Sequence, residues 1–292
     1  MVRFSRRRFL QTAATAGGAT FAGCTSSIPG FGGNGSSAGE YVDWTPAAGG
    51  PANDVIETGF QSVAIDELRA HEAHLPDGVM RGIGYRYIPN HSALTTENTD
   101  AFHTAIHLGT SVYTGSFSAS DVTGNDAFSE MQESRYEGYA IYRGNTAIAV
   151  TDGVYIHAQT ADDVRATIDV HAGDGARAYD EDEDFATVAD TLGSPTDARG
   201  YALSPVTDPD PAYGLFEGMV GIGSTVDIDG ESYEATYVSV FDDPANVVTD
   251  PILEYLRNPQ GVRNSYLSPD DATVEQSGRI VVVSSDGETS EL

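Results

Sequence analysis

A chain of 292 residues, 40% of them apolar, can form one large domain or two small ones, and its apolar content excludes a disordered chain. Its 44 acidic residues face 15 basic ones, every one an arginine. With no lysine and one cysteine, the sequence excludes a P-loop or Schiff-base lysine, an intramolecular disulfide and a multi-cysteine zinc site.

Four arginines, Arg3, Arg6, Arg7 and Arg8, precede Cys24 and no acid does. Eleven arginines then face all 44 acids, a formal charge of −33 after Cys24. Such a field repels nucleic acid and anionic surfaces and keeps the chain soluble. Acids spread along the whole chain, with lysine missing throughout, fit a protein adapted to high salt, where close charges are screened within a few ångströms. The composition resembles that of proteins from salt-loving archaea.

Residues 5–10 read Ser-Arg-Arg-Arg-Phe-Leu, and a mildly apolar stretch rich in Ala, Thr and Gly follows to residue 23. That stretch is too short and too polar to span a bilayer. The hexapeptide resembles the twin-arginine export signal, with Arg6 and Arg7 as the pair. Phe21-Ala22-Gly23-Cys24 resembles a lipobox, with Phe where that motif prefers Leu. The two resemblances imply export of the folded chain by the twin-arginine machinery, removal of residues 1–23 and a thioether-linked lipid on Cys24. A single acyl chain anchors weakly, so a diacyl-type lipid is expected. The implied location is the outer face of the cytoplasmic membrane.

Residues 24–54, rich in Gly, Ser and Pro, read as a tether carrying the lipidated cysteine. Within it, Gly35-Ser36-Ser37-Ala38-Gly39 matches the nucleophile-elbow spacing without the strand and helix that motif requires. Tyr41 to Pro46 has a more ordered character, and Trp44, the only tryptophan, is expected to dock on the domain. Residues 55–292 read as the folded region, in halves of about 55–178 and 179–292.

Alternation predicts a strand at 60–65 followed by a short helix at 66–75. Helix is expected at 103–108, strand at 110–117, and helix at 118–132 capped by Ser118 or Ser120. Strands follow at 136–143 and 146–159, with turns at Gly144-Asn145 and Thr151-Asp152-Gly153. Helices are expected at 161–172 and 184–192, the second capped by the acidic run at 180–184. Strands dominate 199–241 with a hairpin at Asp229-Gly230. A helix at 250–257 and a strand at 279–284 close the chain. The fold class is α+β: a mainly antiparallel sheet with helices on one face, in two similar halves of strand–helix–strand–strand units. The repeat pairs the segments 110–153 and 236–287, each strand, helix and returning strands that end in Asp-Gly. A shortened third copy begins at Phe60. Val112, Phe117, Ile141, Ile148 and Val150 are expected to face one helix layer, with Val238, Val240, Ile280 and Val282 facing another.

Asp43-Trp44-Thr45-Pro46, the strand–helix unit at 60–75 and residues 136–153 resemble an uncharacterised group of surface lipoproteins from salt-loving archaea, which lends no activity.

Chemistry is sparse. His71 and His74, and His103 and His107, have spacings that put two imidazoles on one helix face, yet HEAH is one residue short of HExxH. The acidic run 180–184 lacks the alternating ligands and glycine of a calcium loop. No catalytic, cofactor or metal residue is assigned, and no cofactor is expected. Asn34 and Asn90 fit the glycosylation pattern. The reading is a lipid-anchored surface protein with a non-enzymatic binding or scaffolding role. An anchored hydrolase using carboxylates or histidines, and a transporter's solute receptor, are the alternatives.

Overall fold

The computed structural model describes residues 38–48, 56–89, 93–124, 128–129, 131–257, 267–268 and 270–292. Twelve strands form one antiparallel sheet. The first seven strands are β1 (Ile56–Ala64), β2 (Thr99–Ala105), β3 (Thr110–Gly115), β4 (Gln132–Tyr136), β5 (Tyr139–Arg143), β6 (Ala147–Thr151) and β7 (Val154–Ala158). The last five are β8 (Asp197–Leu203), β9 (Met219–Asp229), β10 (Ser232–Phe241), β11 (Thr273–Ser277) and β12 (Ile280–Glu288). Across the sheet they run β11-β12-β10-β9-β8-β1-β2-β3-β7-β6-β5-β4.

This order has an internal logic. β1, β2 and β3 form a meander, the chain jumps outward to β4, and β5, β6 and β7 fold back until β7 pairs with β3. β8, β9 and β10 repeat the meander, the chain jumps to β11, and β12 returns to pair with β10. Counting the strand reached by the jump, four strands in the first unit and two in the second bring the chain back, so each closing pair is antiparallel. The two units meet where β1 pairs with β8. The expected repeat is present as this topology, with a helix in each jump: α3 (Ala119–Thr123) in the first and α7 (Thr249–Arg257) in the second. Its details differ from the expectation. Asp152-Gly153 forms the turn between β6 and β7, whereas Asp286 and Gly287 lie inside β12, opposite Glu234 and Tyr233. The β1–helix unit is no third copy, because the chain returns beside β1 as β2.

Side chains alternate between the two faces of the sheet. On one face, α4 (Ala161–Ala172), α5 (Ala178–Glu181) and α6 (Glu183–Leu192) form a layer. Val164 and Ile168 of α4 pack on Val112, Ile141, Ala149 and Ile156. Phe185, Val188 and Leu192 of α6 pack on Phe60, Val238, Val240 and Ile280. Glycines make room for α6. A Cβ at Gly200 would lie 2.9 Å from Val188 Cγ1, and one at Gly223 would lie 2.6 Å from Leu192 Cδ1. Thr160 caps α4 through a capping box with Asp163, and Asp182 caps α6 by accepting from the N–H groups of Asp184 and Phe185. The acidic run is thus a helix start.

Shorter helices lie on the opposite face, so the helices occupy both. There α1 (Ile65–Ala70) buries Ile65 and Leu68, α3 buries Val122, and α7 buries Ile252 and Tyr255. They join Val63, Phe102, Tyr155, Tyr237 and Val283 in one cluster. α2 (Val79–Tyr87) sets its Tyr87 ring 5.0 Å from Phe102. The five apolar residues expected under one layer divide accordingly: Val112 and Ile141 face α4, while Phe117, Ile148 and Val150 face the other way.

Candidate functional site

The segment before β1 is fastened to the α4–α6 face. Residues 40–44 form a 3-10 turn in which Tyr41, Val42 and Trp44 are buried. The Tyr41 ring stacks on Phe60 at 4.0 Å, and its hydroxyl donates to the carbonyl of Gly193 at 3.0 Å. Trp44 stacks on His171 at 3.5 Å. Backbone bonds run from Gly39 N to Gly193 O, Ala47 N to Ala176 O and Ala178 N to Thr45 O, and Arg177 donates to Asp43 at 2.8 Å. Trp44 docks as its isolated aromatic character suggested. Residues 38–48, read as part of the tether, are built into the fold.

Below this segment lies a buried pair. Ser62 Oγ and His103 Nδ1 are 2.9 Å apart on neighbouring strands, and the imidazole is held neutral, down to about 4, by burial. A serine beside a histidine has the makings of a nucleophile and its base. Here His103 Nε2 has no hydrogen-bond partner to orient it, and both side chains are covered. The pair is a cross-strand contact. His103 sits in β2 and His107 in the turn after it, not on the expected helix, and His107 Nε2 donates to the Pro46 carbonyl at 3.1 Å. The alternation of β2 is masked because the buried Phe102 and His103 are adjacent in sequence and so lie on opposite faces.

On the opposite face, where the two units meet, Arg199 reaches solvent among buried and half-buried neighbours. Three rows of paired residues cross β1, β8 and β9 there: Gly59–Tyr201–Ile222, Gln61–Arg199–Ser224 and Val63–Asp197–Val226. Arg199 is exposed and its Nη2 donates to Gln61 Oε1 at 2.9 Å; Gln61 Nε2 donates to the Tyr87 hydroxyl at 2.9 Å. The Tyr201 ring lies over Gly59, where a Cβ would come within 2.7 Å of it. Burial pushes the Asp197 carboxyl up to about 6, against the pull of Arg199 and Arg86. The strip offers a guanidinium fixed by an amide, a carboxyl that changes charge near neutrality and an aromatic ring. Sequence reading began this strand at Arg199 and missed the set. The signal was present in Asp197, Arg199 and Tyr201, polar residues at alternate positions.

A second recess of about 610 Å³ opens beside α2, lined among others by Arg69, Glu72, Arg81 and Glu97. Arg69 is committed to structure, donating to the carbonyls of Thr96 and Thr99.

His71 and His74 follow α1 in a turn. Among the described residues no group of three His, Cys, Asp or Glu is placed to hold a metal ion, and no helix is long and apolar enough to cross a membrane. Cys24, Arg6, Arg7, Asn34 and Asn90 lie outside the described residues.

No family model and no curated protein matches this chain. Among solved structures it is similar to TP0453. In crystal form III the TM-score is 0.46 at 10% identity, covering 85% of this chain and 94% of that one. In crystal form I the TM-score is 0.43 at 9% identity, covering 79% and 89%. No function follows from likenesses this distant. What the geometry defines is an α+β protein built on one open antiparallel sheet, with residues 38–47 fastened to one face and Arg199 exposed at the centre of the other.

Proposed function

We propose that this chain is an exported protein, held to the outer face of the cytoplasmic membrane by a lipid on Cys24, whose sheet serves as a binding or scaffolding surface. The fastening of residues 38–47 carries the reading. A lipid anchor positions a domain only if the chain beyond it is rigidly joined to that domain, and here the first described residues are bonded to α6 and to the turn before α5. Only thirteen residues, 25–37, separate Cys24 from that attachment. In a halophilic archaeal host, Cys24→Ser moves the protein from the membrane to the soluble fraction and blocks signal removal. Replacing Arg6 and Arg7 by lysine leaves the precursor in the cytoplasm. Normal processing and membrane retention of Cys24→Ser sinks the anchoring half of the reading.

One observation favours an anchored hydrolase as the second reading: Asp197, with its carboxyl near 6 beside Arg199, has the poise of a general acid or base. Turnover of chromogenic esters or glycosides that Asp197→Asn abolishes would decide for it.

A further inference from the structure

We propose that α2 is the face the protein turns to the membrane, docking on the phosphate headgroups of the bilayer that holds Cys24. The proposal rests on the anchoring reading above.

Of the seven helices among the described residues, six carry acids, and α2 carries none. It holds Arg81 and Arg86, in a chain with −33 charges after Cys24. At 100° per residue, its exposed positions 81, 82, 85 and 86 form one side, with an arginine at each border and Tyr85 between them. Tyr85 is 83% exposed, the most exposed large apolar residue named in the fold. No residue of α2 is fully buried; Met80, Ile83 and Tyr87 cover the core and leave the other side to solvent. Guanidinium groups match phosphate bidentately, and tyrosine suits the boundary between headgroups and acyl chains.

The fold puts this side at the anchored end. Gly39 is bonded to Gly193, which closes α6 just before β8 begins. Ala64, the last residue of β1, is bonded to Thr196 at that same end. α1 and α2 follow β1 directly, and Ala64 pairs with Ala101 at the start of β2. The attachment point and α2 therefore share one end of the sheet. The thirteen residues between Cys24 and Ala38 can span at most about 45 Å, so that end stays within this distance of the headgroups. Glu72 and Glu97 line the recess beside Arg81, so the contact is confined to the exposed side of α2 itself, where Arg81 and Arg86 flank Gly82 and Tyr85.

Cys24 is the only cysteine, so the chain from Cys24 onward can be coupled to a maleimide lipid, whether or not a cell lipidates it. Anchored on phosphatidylglycerol vesicles in about 2 M potassium chloride, the amides of residues 79–87 should exchange hydrogen about tenfold more slowly than in the uncoupled chain. Vesicles of an uncharged galactosyl lipid should give no slowing, and neither should the Arg81→Gln, Tyr85→Ser, Arg86→Gln triple variant. Unchanged exchange in the anchored chain, or equal slowing on the galactosyl lipid or in the variant, overturns the docking. Failure of Cys24→Ser to release the protein in cells would overturn the anchor instead, and the two results are read separately.

Discussion

His103 and Asp197 pull stability in opposite directions as pH falls. The His103 ring, about 4 when folded against 6.5 when free, cannot take up a proton that the unfolded chain accepts. Its contribution is intact above pH 6.5 and is lost between 6.5 and 4, on the order of 3 kcal/mol in total. The Asp197 carboxyl, about 6 against 3.8, is strained as an anion. It costs on the order of 3 kcal/mol above pH 6, and that cost fades as pH falls toward 3.8. Asp197→Asn should therefore raise the thermal midpoint at pH 8 by roughly 6–12 °C and leave it unchanged at pH 3.5. A midpoint at pH 8 equal to that of the parent chain would show that the carboxylate is not strained there.

Elements differ in how plainly the sequence announced them. Ala161–Ala172 and Glu183–Leu192 were legible because a cap, a run of helix formers and apolar spacing agree. The expected helix at 118–132 shrinks to Ala119–Thr123, and residues 132–136 form an edge strand instead, because tertiary pairing with β5 overrides local propensity. The strand read at 136–143 is β5 with the turn before it. α2 went unread for physical reasons: it has two glycines, no side-chain cap and no buried residue, so no pattern marks it. The helix at 103–108 is corrected to strand and turn, since the adjacent buried Phe102 and His103 hide the strand's alternation. Glycine content also reads differently by place. Gly200→Ala should destabilise by about 1–3 kcal/mol, since the new Cβ would meet Phe60 Cε1 at 2.5 Å beneath α6. Gly82→Ala, on the open side of α2 with nothing within 4 Å, should stabilise by about 0.5–1 kcal/mol. Urea melts of the two variants test the pair; a harmless Gly200→Ala would mean that α6 is not seated as closely as the glycines imply.

At the scale of the molecule, pairing of β1 with β8 makes the two topological units one sheet. The chain should unfold in a single transition, with fluorescence and circular dichroism coincident. A first transition confined to one unit would show that the joint does not couple them. The formal charge of −33 after Cys24 should make that transition salt-dependent. Self-repulsion acts over a Debye length of about 10 Å at 0.1 M and about 3 Å at 1 M. The midpoint should rise from dilute to molar potassium chloride, and equal midpoints would count against salt adaptation.

The fastened segment also has a mechanical meaning. A pull on the N-terminal end enters through Gly39–Gly193, Tyr41 and the short ladder of Thr45 and Ala47 with Ala178 and Ala176. It reaches β1 only after these have parted, and β1 is an inner strand flanked by β8 and β2, so no edge offers a place to start peeling. Load from a tethered end would first unzip residues 38–47, spending slack while the twelve strands stay closed. The joint gives way before the body does.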